Sequence, residues 1–188
     1  DDVLRSAKEI KRVVFDTETT STSPRHADLV GISLCWNEGK AYYIPVKAPV
    51  GDPCLNANDV LERVQPLLSS DEYEKIGQNL KYDMVVLRGA GLEVKGQLFD
   101  TMVADYLLDS GQRNHSIDDI ALRYFQHETI KIKELIGTGK SQKRMDEVAV
   151  ELVTPYAAED ADIPRRLREI FEEKLKQQGL YELFTNVE

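Results

Sequence analysis

The run Val13-Val14-Phe15 passes without a break into Asp16-Thr17-Glu18-Thr19, and no other segment constrains the fold as much. A short apolar, β-branched and aromatic run reads as a buried strand, here one that ends in polar residues. Side chains alternate along a strand, so Asp16 and Glu18 project from one face. Two acids side by side repel. Taken alone, the pair reads as a solvated strand end, since D-x-E occurs often by chance.

The rest of the chain supplies the layers such a strand needs. Leu29 to Trp36 and Ala41 to Val46 flank the turn signal Asn37-Glu38-Gly39-Lys40 and predict a hairpin. After a loop at Pro49 to Pro53, Val60, Leu61, Val64, Leu67 and Leu68 recur at helical spacing behind Asn58 as N-cap. Tyr73 to Gly77 reads as a fourth strand, and Leu80, Met84, Val85 and Leu87 as a helix stopped by Gly89-Ala90-Gly91. Phe99 precedes a helix with Met102, Val103, Tyr106 and Leu107 on one face. Ser116 and Asp119 form a capping-box pattern before Ile120, Leu122 and Tyr124. Lys131 to Arg144 is basic and glycine-containing, a loop over the surface. Thr154-Pro155 supplies an N-cap and N1 proline for a last helix running towards Gly179. The order predicts an α/β fold: a mixed five-stranded sheet, three antiparallel strands and then parallel additions, flanked by helices.

At 188 residues the chain has room for one domain, spanning 1–188. No apolar run reaches the roughly 18 residues a bilayer span needs, and Asp1-Asp2-Val3-Leu4 carries no leader pattern. Cys35 and Cys54 make no C-x-x-C, which suits a reducing cytoplasm. The net charge of −9 argues against a broad basic surface for polyanions. It leaves room for an enzyme whose clustered carboxylates hold metals that meet phosphate. Without an initiator Met, and opening almost at once on a strand, the chain reads as a domain taken from a longer protein.

Further acids change the weight given to Asp16 and Glu18. Asn79 and Asp83 stand at i, i+4 on one predicted helix, Tyr156 and Asp160 on another, so each pair presents both groups to one point. Asp100 is placed to cap a helix. The ordered set Asp16-Thr17-Glu18-Thr19, then Ile76-Gly77-Gln78-Asn79-Leu80-Lys81-Tyr82-Asp83, then Tyr156-Ala157-Ala158-Glu159-Asp160 resembles the three motifs of the DEDDy subgroup of 3′ to 5′ exonucleases. More closely it resembles the proofreading exonuclease domain of bacterial family A DNA polymerases, over nearly the whole chain. The closing Leu183-Phe184-Thr185-Asn186-Val187-Glu188 is similar to the junction where a polymerase domain begins in that family.

The resemblance implies a ribonuclease H-like fold and a phosphodiester hydrolase that uses two divalent cations, Mg²⁺ or Mn²⁺. Asp16, Glu18 and Asp160 would hold the metal that activates water. Asp16 would also reach the second metal, supported by Asp83 largely through water, and Tyr156 would orient the attacking water. Gln78, Asn79 and Tyr82 match positions near the DNA end, and Thr17 and Thr19 would either meet the terminal nucleotide through backbone or hydroxyl or simply make strand-end hydrogen bonds. The family often has an apolar wedge Leu six residues after the first Asp, where this chain has Thr22. The implied partners are a single-stranded DNA 3′ end and a polymerase domain in the same parent chain, with no membrane. The implied state is a monomer, and the setting a bacterial cytoplasm at the nucleoid. Two rivals share the acids or the fold: a stand-alone exoribonuclease of the ribonuclease D type and a catalytically silent scaffold domain.

Other signals fall away. Gly139-Lys140-Ser141 lacks the earlier glycine of a phosphate-binding loop. Lys131, Lys133, Lys140, Lys143 and Arg144 read equally as phosphate contacts or as a solvated loop. His26, His115 and His127 have no metal or triad spacing and read as surface or packing residues. Arg113 and His115 flank a position where the family often has a basic residue near the DNA. Pro164 removes the hydrogen bond to the Asp160 carbonyl and should kink the last helix.

Overall fold

The computed structural model describes residues 11–186. Asp1-Asp2-Val3-Leu4 and the final Val187-Glu188 of the junction-like segment therefore lie outside the described residues. The sheet contains β1 (Arg12–Thr19), β2 (Leu29–Asn37), β3 (Lys40–Pro45), β4 (Glu74–Gly77) and β5 (Leu98–Asp100), in the order β3-β2-β1-β4-β5. β1–β2 and β2–β3 are antiparallel, and β4 and β5 add in parallel beside β1. This is the predicted mixed sheet. The helices are α1 (Ala57–Leu68), α2 (Leu80–Gly89), α3 (Thr101–Leu108), α4 (Ile117–Phe125), α5 (Ile132–Ile136), α6 (Val150–Gln177) and α7 (Tyr181–Asn186).

β1 is central and faces two different cores. Val13 and Phe15 pack with Val60, Val64 and Leu67 of α1 and Leu80 and Leu87 of α2. Val14, one residue out of phase, packs on the other face with Ile120 of α4 and Ala161, Leu167 and Phe171 of α6. At Gly77, the last residue of β4, an added Cβ would sit 2.9 Å from the Phe15 carbonyl and run into Leu80, so glycine alone lets β4, β1 and α2 close up here.

Several local readings need correction. The α1 cap is Asn56, whose side chain accepts from the backbone N–H groups of Asn58 and Asp59. α3 buries Thr101, Ala104 and Asp105 and leaves Tyr106 exposed, because the helix turns its small residues towards the core and only Val103, Leu107 and Leu108 lean against it. Leu122 of α4 is likewise exposed. α6 begins at Val150, ahead of Thr154-Pro155. Its first N–H is taken by Asp52 at 2.8 Å, and the Thr154 hydroxyl donates back to the Val150 carbonyl at 2.7 Å. An acid from a distant loop replaces the local cap, so the local cap signal misplaces the start. The helix then continues through Pro155 and Pro164.

α6 is tied to the sheet by a buried ion pair. Arg168, 2% exposed, lays its guanidinium against Glu74 of β4 (2.9 Å and 2.6 Å) and over the Phe99 ring at 4.6 Å, and it also bonds Glu172. Breaking a buried pair strands its partner, whereas replacing both ends with apolar groups can be nearly neutral. Arg168→Leu should therefore cost about 3 kcal/mol in urea unfolding, and Arg168→Leu with Glu74→Leu should recover a large part of that loss. Additive losses would show that the pair is not the tie.

Candidate active site

β1 alternates, so Asp16 and Glu18 continue the Val14 face, the face covered by α6. One turn of α6 brings Tyr156 and Asp160 above them. Carboxylate oxygens of Asp16, Glu18 and Asp160 all lie within 4.8 Å of one another. A register shift between Glu18 and Thr19, opposite Gly31 and Leu29 of β2, sits at this end of the strand, where a bulge re-aims the side chains.

Thr17 and Thr19 point the other way, towards α2. The Thr17 N–H and hydroxyl both donate to Asp83 Oδ1, at 3.0 and 2.5 Å. Thr19 Oγ1 meets the Tyr82 hydroxyl at 2.5 Å, and Tyr82 donates to the Ser21 carbonyl. Asp83 thus reaches the cluster from the opposite face and stands outside the group of three. Thr17, expected at the terminal nucleotide, lines the cleft beside the cluster, and its buried hydroxyl is committed to Asp83, which it holds in place. Asp100 caps two helices at once: its carboxylate accepts from Asn79 N (3.0 Å) and Leu80 N (2.7 Å) at the start of α2, and from Met102 N (2.9 Å) at the start of α3. Asn79 takes a left-handed backbone (φ 59°), which turns the chain from β4 into α2. The cap expected of Asp100 is present, and it also orients the helix that carries Asp83.

Burial and mutual repulsion govern the acids. Burial pushes the Asp16 carboxyl up to about 6. Burial, then the charges around it, hold Glu18 well above the carboxylate range, and the same holds for Asp83 and Asp160, each against Asp16. Without a cation the folded state therefore binds protons that the unfolded chain does not. This contribution to stability is lost as pH rises from the ordinary aspartate range through about 6. Tyr156 is raised above the ordinary phenol range, by burial and then by Asp160, so its hydroxyl keeps its proton. Glu18 Oε1 is buried with no hydrogen-bond partner among the described residues. A buried carboxylate oxygen without a donor, in a cluster of like charges, fits a divalent cation that takes oxygen ligands.

The cluster opens into a cleft of about 800 Å³. Thr19, Thr22, Gln78, Asn79 and Tyr82 line it together with the four acids and Tyr156, so the structure brings the residues singled out in the sequence to one place. The segment 131–144, read as a surface loop, is the opposite wall: α5 presents Ile132 and Ile136, followed by Gln142, Lys143 and Arg144. Glu159 draws this segment in, accepting from Ile130 N at 2.7 Å and meeting His127 Nε2 at 2.6 Å. Of the basic residues, Lys143 and Arg144 line the cleft, with Arg144 paired to Asp146, while Lys131 pairs with Asp118 away from it. The half-exposed Ile132 escaped sequence reading because five helical residues within a basic, glycine-bearing stretch give no usable period.

A family model described as 3′-5′ exonuclease matches residues 1–176. DNA polymerase I of Pseudomonas aeruginosa is 38% identical over 98% of the chain, and that of Borreliella burgdorferi 36% over its full length. The chain spans about a fifth of the length of these relatives (21% and 20%). Among solved structures, a Pol1 from M. smegmatis in complex with DNA primer-template and dNTP superposes with a TM-score of 0.75 at 18% identity, covering all of this chain and 28% of that one. Escherichia coli RNase D superposes at 0.72 with 14% identity, covering 98% of this chain and 45% of that one, a likeness of fold. With its three motifs assembled on a ribonuclease H-like sheet, the chain belongs to the 3′-5′ exonuclease family, in the branch found in bacterial DNA polymerase I.

Proposed function

We propose that the chain is a proofreading domain of a longer, cytoplasmic, nucleoid-associated DNA polymerase, acting without a second copy of itself. In this reading it releases deoxynucleoside 5′-monophosphates from single-stranded or frayed DNA 3′ ends. The observation that carries the reading is the convergence of Asp16, Glu18 and Asp160 within 4.8 Å at an open cleft. Asp16, Glu18 and Asp160 would hold one Mg²⁺ or Mn²⁺, and Asp16 with Asp83 a second. When bound, such cations acidify water and neutralise charge on the phosphate and the leaving oxygen.

The protein groups position the reactants. Glu18 Oε1, without a donor among the described residues, accepts from the attacking water. The protonated Tyr156 hydroxyl holds that water from the other side, since a phenol this far raised is a poor base. Thr17 keeps Asp83 in place. Asn79, Gln78, Thr19, Tyr82 and Thr22 border the path of the terminal nucleotides, and Lys143 and Arg144 face the phosphates. Digestion of 5′-labelled single-stranded DNA with Mg²⁺, beside RNA of the same sequence, tests the whole reading. Stepwise shortening of DNA from the 3′ end supports it, no Mg²⁺-dependent shortening overturns it, and a preference for RNA would favour the ribonuclease D-type reading.

Three outcomes follow for single residues. Asp16→Ala and Asp160→Ala should each lower single-turnover cleavage on the order of 10³-fold or more with the fold retained by circular dichroism, since each removes a direct ligand. Tyr156→Phe should lower the rate about 10²-fold while calorimetric Mg²⁺ binding stays close to wild type, because only a water-orienting hydroxyl is lost. Asp16→Asn relieves like-charge repulsion and should raise the melting temperature at pH 8 in chelator by roughly 2–4 °C, about 1 kcal/mol. A lower melting temperature would show that the acids do not strain the fold.

A further inference from the structure

Behind the Gln78 wall of the cleft lies a buried ionic group that the proposed chemistry does not use. Asp105 of α3 has no exposed surface. Its Oδ2 meets His115 Nδ1 and accepts from Arg123 Nη2, both at 2.6 Å, while Oδ1 is buried without a partner among the described residues. The His115 ring also stands edge-on to Tyr106, centroids 5.4 Å apart. A buried carboxylate is costly unless bonded, so Asp105 holds both partners firmly.

The backbone of His115 is where this hold reaches the cleft. Its carbonyl accepts from Gln78 Nε2 at 2.8 Å. The other end of the same amide, Oε1, accepts from Thr101 Oγ1 at 2.6 Å, and Thr101 lies one turn before Asp105 on α3. Both ends of Gln78 are therefore set by α3, one directly and one through the loop that Asp105 pins by the His115 ring.

We propose that Asp105 and His115 are positioning residues: by fixing the backbone at residue 115 they hold Gln78 in the orientation that meets the DNA strand, and so set the grip on the 3′ end rather than the cleavage step. The inference rests on the exonuclease reading, because it needs Gln78 at the nucleic acid. It predicts a loss of uniform binding, which appears in KM and not in kcat. Losing the equivalent of one neutral hydrogen bond corresponds to about a three- to tenfold change.

The test compares His115→Leu, His115→Asn, Gln78→Ala and the double variant His115→Leu/Gln78→Ala in the same chain, by steady-state digestion of single-stranded DNA with Mg²⁺. His115→Leu should raise KM about three- to tenfold and keep kcat within about twofold. His115→Asn should restore KM, since its amide N–H can stand in for Nδ1–H against Asp105. The double variant should be no worse than Gln78→Ala, because both act through one contact. An unchanged KM, a loss confined to kcat, or additive effects would overturn the proposal. If His115→Leu does not fold, His115→Phe, which keeps a ring against Tyr106 but offers no donor to Asp105, takes its place in the same comparison. The side-chain amide signal of Gln78 in ¹⁵N-resolved NMR should move in His115→Leu and return in His115→Asn. A wild-type chain that cleaves nothing overturns the exonuclease reading, while an unmoved Gln78 amide in a folded His115→Leu chain overturns the positioning pair whatever the activity.

Discussion

Three carboxylates held within 4.8 Å of one another inside a folded protein repel, and the surrounding structure is arranged to bear that repulsion. At an effective dielectric of about 20, like charges at such a separation cost on the order of a few kcal/mol. A mobile cluster would relieve this by spreading. Here the acids sit on a central strand with neighbours on both sides and on a long helix bonded to the sheet through Arg168 and Glu74. The raised Asp16 and Glu18 express the same constraint as proton affinity.

β1 distributes the work between its two faces. Even-numbered Asp16 and Glu18 meet Asp160 from α6, and odd-numbered Thr17 and Thr19 meet Asp83 and Tyr82 from α2. The fourth acid therefore approaches from the far side of the strand, where the Thr17 donors hold it against the repulsion of Asp16. Asp100 sets the start of α2, and Glu159 draws the 131–144 wall towards the helix that carries Asp160. Strand and helix geometry thus fix the floor of the cleft, while partly buried acids acting as hydrogen-bond acceptors fix its walls.

The sequence was most readable where chemistry follows a local period. Alternation along Val13 to Thr19 put Asp16 and Glu18 on one face, i, i+4 spacing joined Tyr156 to Asp160, and the Asn37 to Lys40 turn marked the hairpin. It was least readable where a distant residue supplies what a local one was expected to supply. Asp52 caps α6 in place of Thr154, Asp100 caps α2 as well as α3, and Thr17 serves Asp83. His115 and His127 carried no motif, yet each meets a buried or half-buried acid more than nine residues away in the chain.

The sequence by itself determined the type of sheet and the strand that bears the first two acids, because each depends on side-chain period and residue chemistry along a few contiguous positions, while the set of four carboxylates with one tyrosine came from the likeness of three short motifs to a family. Only the tertiary structure decided that three of the acids form one cluster while the fourth is held apart by Thr17, that segment 131–144 walls the cleft, and that Asp105 reaches Gln78 through His115. Those outcomes depend on which helix crosses which face of β1 and at what height, and packing between elements distant in sequence sets that.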